Sequence, residues 1–167
     1  VVTSSEQNSG KSLVSSNLAL TFSQKGEKTL LIDADMRNPS IKNYFYIPSR
    51  QGLSSAIRNK ANVQEYIFET NEKNLFILPA GITPPNPADL LGSISMKNLI
   101  QELRESFDHI IIDTPPVLAV TDAILVSAFA DGVVLVIRSG KTTKQNAKKV
   151  IRLLNQSSTP IIGSILN

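Results

Sequence analysis

Near the start of the chain, "SSEQNSGKS" (Ser4 to Ser12) sets a Gly-Lys-Ser triplet between the apolar "VVTS" and a segment of helical periodicity. A loop of that layout turns successive backbone N–H groups, and the N-terminus of the next helix, onto one point, which suits a phosphate. The residues that would touch a nucleotide are Asn8, Ser9, Gly10, Lys11, Ser12 and Leu13. Among them the Lys11 ammonium reaches the β- and γ-phosphates and the Ser12 hydroxyl ligates Mg²⁺. The loop is poor in glycine, since the first glycine of the usual pattern is Ser5 here. Asn8 stands where such loops need a positive φ, and asparagine is one of the few other residues that tolerate it.

Acidic groups follow at two further places. "LLIDADMR" sets Asp33 and Asp35 at the carboxyl end of an apolar run, and a side-chain period of two turns both carboxylates the same way. Like charges that close repel unless a cation or a proton relieves them, and Mg²⁺ beside triphosphate oxygens is such a cation. Asp35 has a second reading, as the cap of a turn ahead of Asn38-Pro39. "HIIIDTPP" ends another run in Asp113, the place for an acid that orients a metal or its water shell. Pro115 and Pro116 then stop the strand and stiffen the turn, because proline has no N–H to pair. Together these features point to phosphoryl transfer from a magnesium nucleotide.

The elements that must hold these residues are legible as apolar runs: "TLLIDAD", "NLFILPAG", "HIIIDTPP", "GVVLVIRSG" and "PIIGSILN". Runs without alternation suit parallel strands covered on both faces. Between them Val14, Leu18 and Phe22 recur every four residues before the stop at Gly26. Met96, Leu99, Ile100, Leu103 and Phe107 form a second apolar stripe, and Ala147, Val150, Ile151 and Leu154 a third. The alternation predicts an α/β fold, a doubly wound, mostly parallel sheet with helices on both faces, arranged as in P-loop NTPases. Ligands bind such sheets beyond the carboxyl ends of the strands. Residues 38–74, with the short helical patches "GLSSAIRN" and "VQEYIFE", read as an insertion beside the site. The helix from about Thr142 carries Lys144, Lys148, Lys149 and Arg152 opposite its stripe, a solvated face.

With 167 residues, the chain has the length of one α/β domain, 1–167, and a hydrophobic share of 41% against 19% charged is enough to bury a core. A net charge of +3 without interleaved aromatics argues against nucleic acid as a partner. The lack of cysteine excludes disulfides and thiolate metal sites and fits the cytoplasm. No apolar run approaches the roughly 20 residues that cross a bilayer. Opening on a strand without Met and stopping on another, the chain reads as a fragment cut at both ends.

On these motifs the chain resembles the bacterial tyrosine kinases of capsule and exopolysaccharide systems, P-loop ATPases related to the ParA and MinD proteins. That family has a Walker A loop and a second motif of apolar residues followed by Asp-x-Asp-x-Arg, here Asp33, Asp35 and Arg37. Its Walker B ends Asp-x-Pro-Pro, here Asp113 to Pro116, and a Pro-Pro-Asn-Pro segment precedes a helix, here "GITPPNPADLL". The resemblance implies ATP and Mg²⁺ as cofactors, Lys11 on the phosphates, and Ser12, Asp35 and Asp113 around the metal, partly through water. It makes Asp33 the residue that assists deprotonation of an incoming tyrosine, with Lys11 and Arg37 as its catalytic companions. Asn167 resembles the asparagine that related ATPases set near adenine, a turn residue being its other reading. The implied activity is that of a protein-tyrosine (auto)kinase regulating capsular or exopolysaccharide synthesis and export. Its implied partners are a tyrosine-containing protein substrate (its own C-terminal tail, presented in trans), a membrane activator or polysaccharide co-polymerase domain, and further copies in a ring. Its implied place is the inner face of the cell membrane.

Two departures stand out. The loop reads Gln7-Asn8-Ser9-Gly10-Lys11 rather than Pro-Gly-x-Gly-Lys, and the only tyrosines are Tyr44, Tyr46 and Tyr66, in or near the insertion. The alternatives are a ParA/MinD-like positioning ATPase, which carries a lysine early in the loop where this chain has Glu6, and a weakly active nucleotide-binding regulator of polysaccharide export.

Overall fold

Branched apolar side chains fit the pleat of a sheet better than the surface of a helix, where their χ1 freedom is lost. In the computed structural model, which describes residues 1–48, 50–59 and 62–167, the five apolar runs all become strands. They are β2 (Thr29–Asp33), β4 (Leu75–Leu78), β5 (His109–Asp113), β6 (Val133–Ile137) and β7 (Ile161–Leu166), joined by β1 (Val2–Ser4) and the short β3 (Phe68–Glu69). One sheet contains them in the order β3-β4-β2-β5-β1-β6-β7. Every pairing is parallel except that of β3 with β4. The antiparallel edge strand carries no periodic signal in two residues, and the sequence reading had a helical patch over it.

The helices are α1 (Lys11–Gln24), α2 (Ile41–Phe45), α3 (Leu53–Asn59), α4 (Pro87–Leu91), α5 (Ile94–Arg104), α6 (Asp122–Ser127) and α7 (Lys144–Leu154). Leu30 and Ile32 of β2 pack into one apolar cluster, with α3 and α5, while Leu31 between them packs into another with Ala19 of α1. That alternation is why the strand reads as an unbroken apolar run: both of its faces are covered. Strand order decides the site. Because β5 lies between β2 and β1, the tips carrying Asp33, Asp113 and the glycine loop are neighbours, and Asp33 stands in register with Asp113.

Helix α1 departs from expectation. Its buried residues are Ser12, Ser15, Ser16, Ala19 and Ser23, whereas Val14, Leu18 and Phe22 are only half-buried, the Phe22 ring stacking on His109 at 4.0 Å. Small side chains let the helix backbone approach the sheet closely, so its N-terminus sits against the strand tips; a leucine face would hold it off. In α7, Val150 and Leu154 are buried but Ile151 is exposed, and Lys144, Lys148, Lys149 and Arg152 face solvent as read from the sequence.

The insertion is pinned beside the site by backbone contact. Leu53 N donates to Pro79 O at 2.7 Å and Ser54 N to Ala80 O at 3.0 Å. A side chain at Gly52 would collide with the Pro79 carbonyl oxygen, so only glycine permits this crossing. No helix among the described residues is long and apolar enough to cross a membrane.

Candidate active site

The loop after β1 is bent by two residues in the left-handed region, Asn8 at φ 59° and Gly10 at φ 81°. Asparagine does take the role its chemistry allows. Helix α1 starts immediately afterwards with no side-chain cap, so the first-turn N–H groups of Lys11, Ser12 and Leu13 have no partner within the helix. They open on a cavity of about 240 Å³ that every residue from Gln7 to Leu13 lines on one side, and Asp35, Arg37, Pro115 and Pro116 on the other. Unpaired helix N–H groups, a lysine and a wall of polar side chains form a donor set that fits a polyphosphate.

Lys11 Nζ lies 3.0 Å from Asp35 Oδ2, 3.9 Å from Asp113 Oδ2 and 3.4 Å from Ser12 Oγ. The Ser12 hydroxyl donates to Asp113 Oδ2 at 2.6 Å, and the Ser15 hydroxyl to Asp113 Oδ1 at 3.0 Å. Ser12, Asp35 and Asp113 are thus gathered round one ammonium. Among the described residues no three acidic, histidine or cysteine side chains come close enough to hold a metal ion by themselves. Such a set fits Mg²⁺, which keeps several waters and takes one or two carboxylates together with phosphate oxygens.

The two aspartates of the second motif do different work. Strand β2 ends at Asp33, so the alternation that would point both carboxylates one way stops before Asp35. Asp35 lines the phosphate cavity and its Oδ1 also accepts from Asn38 N at 3.0 Å, which makes it turn cap and Lys11 partner at once. Asp33 is fully buried; Oδ1 accepts from Asp35 N at 3.1 Å, and Oδ2 from Ser40 N and Ile41 N, both at 3.0 Å. It lines a neighbouring cavity of about 300 Å³ together with Pro39, Lys42, Arg50 and Pro79. Burial pushes the Asp33 carboxyl up to about 7, with Asp113 and Asp35 adding to it, despite the downward pull of the Ile41 and Asp35 N–H groups. The Asp113 carboxyl is pushed up as well, burial outweighing Lys11 and the two serine hydroxyls.

Arg37 lies across the phosphate cavity from the loop and is bound at one edge: Nε is 2.9 Å from Asp122 Oδ2 and Nη2 3.2 Å from Asp122 Oδ1. The sequence reading missed Asp122, 85 residues away and at the start of a helical run, where an acid is unremarkable. It also missed the brace behind the loop. Arg138 Nη1 donates to Asn8 O at 2.8 Å and Asn146 Nδ2 to Glu6 Oε1 at 2.6 Å. Asn167 Nδ2 donates to Ser9 O at 3.1 Å, and a Cβ at Gly10 would run into that amide. Leu13 sits at the cavity rim, partly exposed.

The profile of the AAA domain family matches residues 5–161. The chain is 43% identical over 167 residues to tyrosine-protein kinase YwqD of Bacillus subtilis, covering 100% of this chain and 70% of that one. The solved kinase domain of Escherichia coli tyrosine kinase ETK superposes with a TM-score of 0.95 at 34% identity, over 99% of this chain and 65% of that one. The septum site-determining protein MinD of Pyrococcus horikoshii, solved with Mg-ADP, superposes at 0.84 and 23% identity over 99% of this chain and 68% of its own, a likeness of fold alone. Glycine loop, paired acids and strand-tip aspartate thus sit on the sheet that these proteins share, and the chain belongs to the bacterial tyrosine-protein kinase family.

Proposed function

We propose that the chain transfers the γ-phosphate of Mg-ATP to tyrosine hydroxyls of protein, and that it does so in the control of capsular and exopolysaccharide synthesis and export. One observation carries the reading: Lys11, Ser12 and Asp35 line a single cavity beside uncapped helix N–H groups, and the buried Asp113 is joined to Lys11 and Ser12 by an ion pair and a hydrogen bond. Phosphoryl transfer asks a protein for positioning and charge neutralisation rather than covalent chemistry, and this cluster is built for both.

The loop N–H groups and the start of α1 hold the phosphates, and Lys11 exchanges Asp35 for phosphate oxygens. Ser12, Asp35 and Asp113 would hold Mg²⁺, which when bound neutralises charge on the phosphates. The phenol oxygen forms a bond to the γ-phosphorus as the bond to the ADP oxygen breaks, and Asp33 takes the phenolic proton. Burial raises its pKa to about 7, so its ionised form, the one that accepts the proton, is a stronger base than an ordinary carboxylate. Arg37 adds positive charge on the cavity wall. Glu6 is bonded to Asn146 of its own chain and carries no positive charge for a partner's nucleotide, which favours a kinase over a positioning ATPase. The acceptors include tyrosines of the chain's own C-terminal tail in another copy, and the working place is the inner face of the cell membrane beside a membrane activator.

The test is phosphotyrosine formation by the full-length protein with Mg-ATP. Signal that disappears in Lys11→Met and Asp33→Asn supports the reading. Hydrolysis of ATP without phosphotyrosine overturns it in favour of the positioning ATPase, and binding without either in favour of the regulator.

A further inference from the structure

We propose that Asp122 is a positioning residue of the phosphotransfer site, holding the Arg37 guanidinium so that its unbonded edge projects into the phosphate cavity. The proposal rests on the kinase reading above and adds to it a residue that no motif of the sequence marks.

Arg37 belongs to the loop after β2, and Asp122 opens α6 directly after the connector from β5, whose Pro115, Pro116, Ala119 and Val120 form part of the cavity wall. Their ion pair therefore ties together two segments that flank the phosphates. The contact is two-pronged, Nε to Oδ2 and Nη2 to Oδ1, which fixes the plane of the guanidinium as well as its position. Three of the five donors of the fork remain, Nη1 with both of its hydrogens among them, and these have no partner among the described residues. The side chain is 41% exposed and lines the cavity, so that free edge is open to a ligand.

Asp122 is the opposite case. It is 0% exposed, and among the described residues its carboxylate has no partner except Arg37. A buried acid with one half-exposed partner is a poor stabiliser, because taking the carboxylate out of water offsets most of the Coulombic gain. What the arrangement does supply is orientation. A free arginine side chain has many rotamers to lose, and an anchor on one edge removes that loss from the reaction step. The Asp122 carboxylate also holds the Arg37 guanidinium above its ordinary pKa.

The experiment compares the full chain with Arg37→Ala, Arg37→Lys, Asp122→Asn and the double variant Arg37→Ala/Asp122→Asn. Phosphotyrosine formation is followed in single turnovers across ATP concentrations, and the Arg37 Nε–H signal by ¹⁵N NMR. At saturating ATP, Asp122→Asn and Arg37→Ala each slow transfer about 10- to 100-fold, as loss of one oriented donor does, while half-saturating ATP moves less than about threefold. The double variant is no slower than the slower single one. Arg37→Lys, which keeps charge but lacks the fork, stays slow and reads the same contact without touching the buried acid. The Nε–H signal, slowly exchanging in the parent, is lost to exchange in Asp122→Asn.

Losses that multiply in the double variant, an effect confined to ATP half-saturation, or an Nε–H that stays protected without Asp122 each overturn the proposal. A parent chain that makes no phosphotyrosine overturns the kinase reading instead, and the NMR comparison still decides whether Asp122 fixes Arg37.

Discussion

A methyl group at Gly10 is opposed twice. The backbone there has φ 81°, where an L side chain costs about 1–2 kcal/mol. The new Cβ also runs into the Asn167 amide, whose Cγ is 3.1 Å away, and that amide is bonded to Ser9 O. It must swing aside and give up the bond, a loss of about 1 kcal/mol. Gly10→Ala is therefore expected to destabilise the chain by about 2–3 kcal/mol, and Asn167→Ala, which loses the same bond without strain, by about 1 kcal/mol. In the double variant the amide is already gone, so the loss is again about 2–3 kcal/mol rather than the sum of about 3–4 kcal/mol. Urea unfolding of the nucleotide-free proteins reads the difference, a coupling of about 1 kcal/mol, if the m values agree. ATP titration run alongside is expected to show weakened binding in both Gly10→Ala proteins, because the strained loop turns its N–H groups off the phosphates. Additivity within about 0.3–0.5 kcal/mol would refute the reasoning, since Asn167 would then not be the group that meets the methyl.

Three further expectations follow from the same contacts. At Asn8, with φ 59°, Asn8→Gly is expected to keep stability and ATP affinity, whereas Asn8→Val loses at least about 1–2 kcal/mol and weakens ATP binding; equal behaviour of the two in urea and in nucleotide titration would count against a left-handed loop. Asp33, raised from 3.8 to about 7, and Asp113, also raised, bind protons more tightly folded than unfolded. The resulting penalty is absent below the unfolded value and builds as pH rises above it, for Asp33 being full above about 7. In chelator-treated, nucleotide-free protein the thermal midpoint should thus fall from pH 5.5 to 8 less steeply in Asp113→Asn than in the parent. At pH 8 the variant should be higher by about 2–4 °C per kcal/mol relieved, although phosphotransfer is lost; identical pH profiles would contradict the electrostatic account. Asn146→Asp sets a second carboxylate against Glu6 Oε1, now 2.6 Å from the amide, and is expected to raise the ATP concentration for half-maximal rate several-fold with little change at saturation. An unchanged ATP titration would mean that this contact does not brace the loop.

The sequence alone determined what depends on neighbours along the chain. Unbroken apolar runs gave the strands of the parallel sheet, a residue that tolerates positive φ gave the bend at Asn8, and strand-tip aspartates gave the end of the sheet at which the glycine loop lies. Tertiary structure decided what depends on groups distant in the chain. That β5 slips between β2 and β1 brings Asp113 to Lys11 and Ser12, and no local pattern encodes strand order. The side chains that α1 buries are serines and an alanine rather than its apolar stripe, because close approach to the sheet outweighs apolar area there. Asp33 and Asp35 part company where the strand ends, since alternation holds only while the chain stays extended. The pairing of Arg37 with Asp122 and the bracing of the loop by Arg138, Asn146 and Asn167 span 85 to 158 residues. Hydrogen bonds of that kind leave no period or spacing in a sequence, so only the folded chain brings them to view.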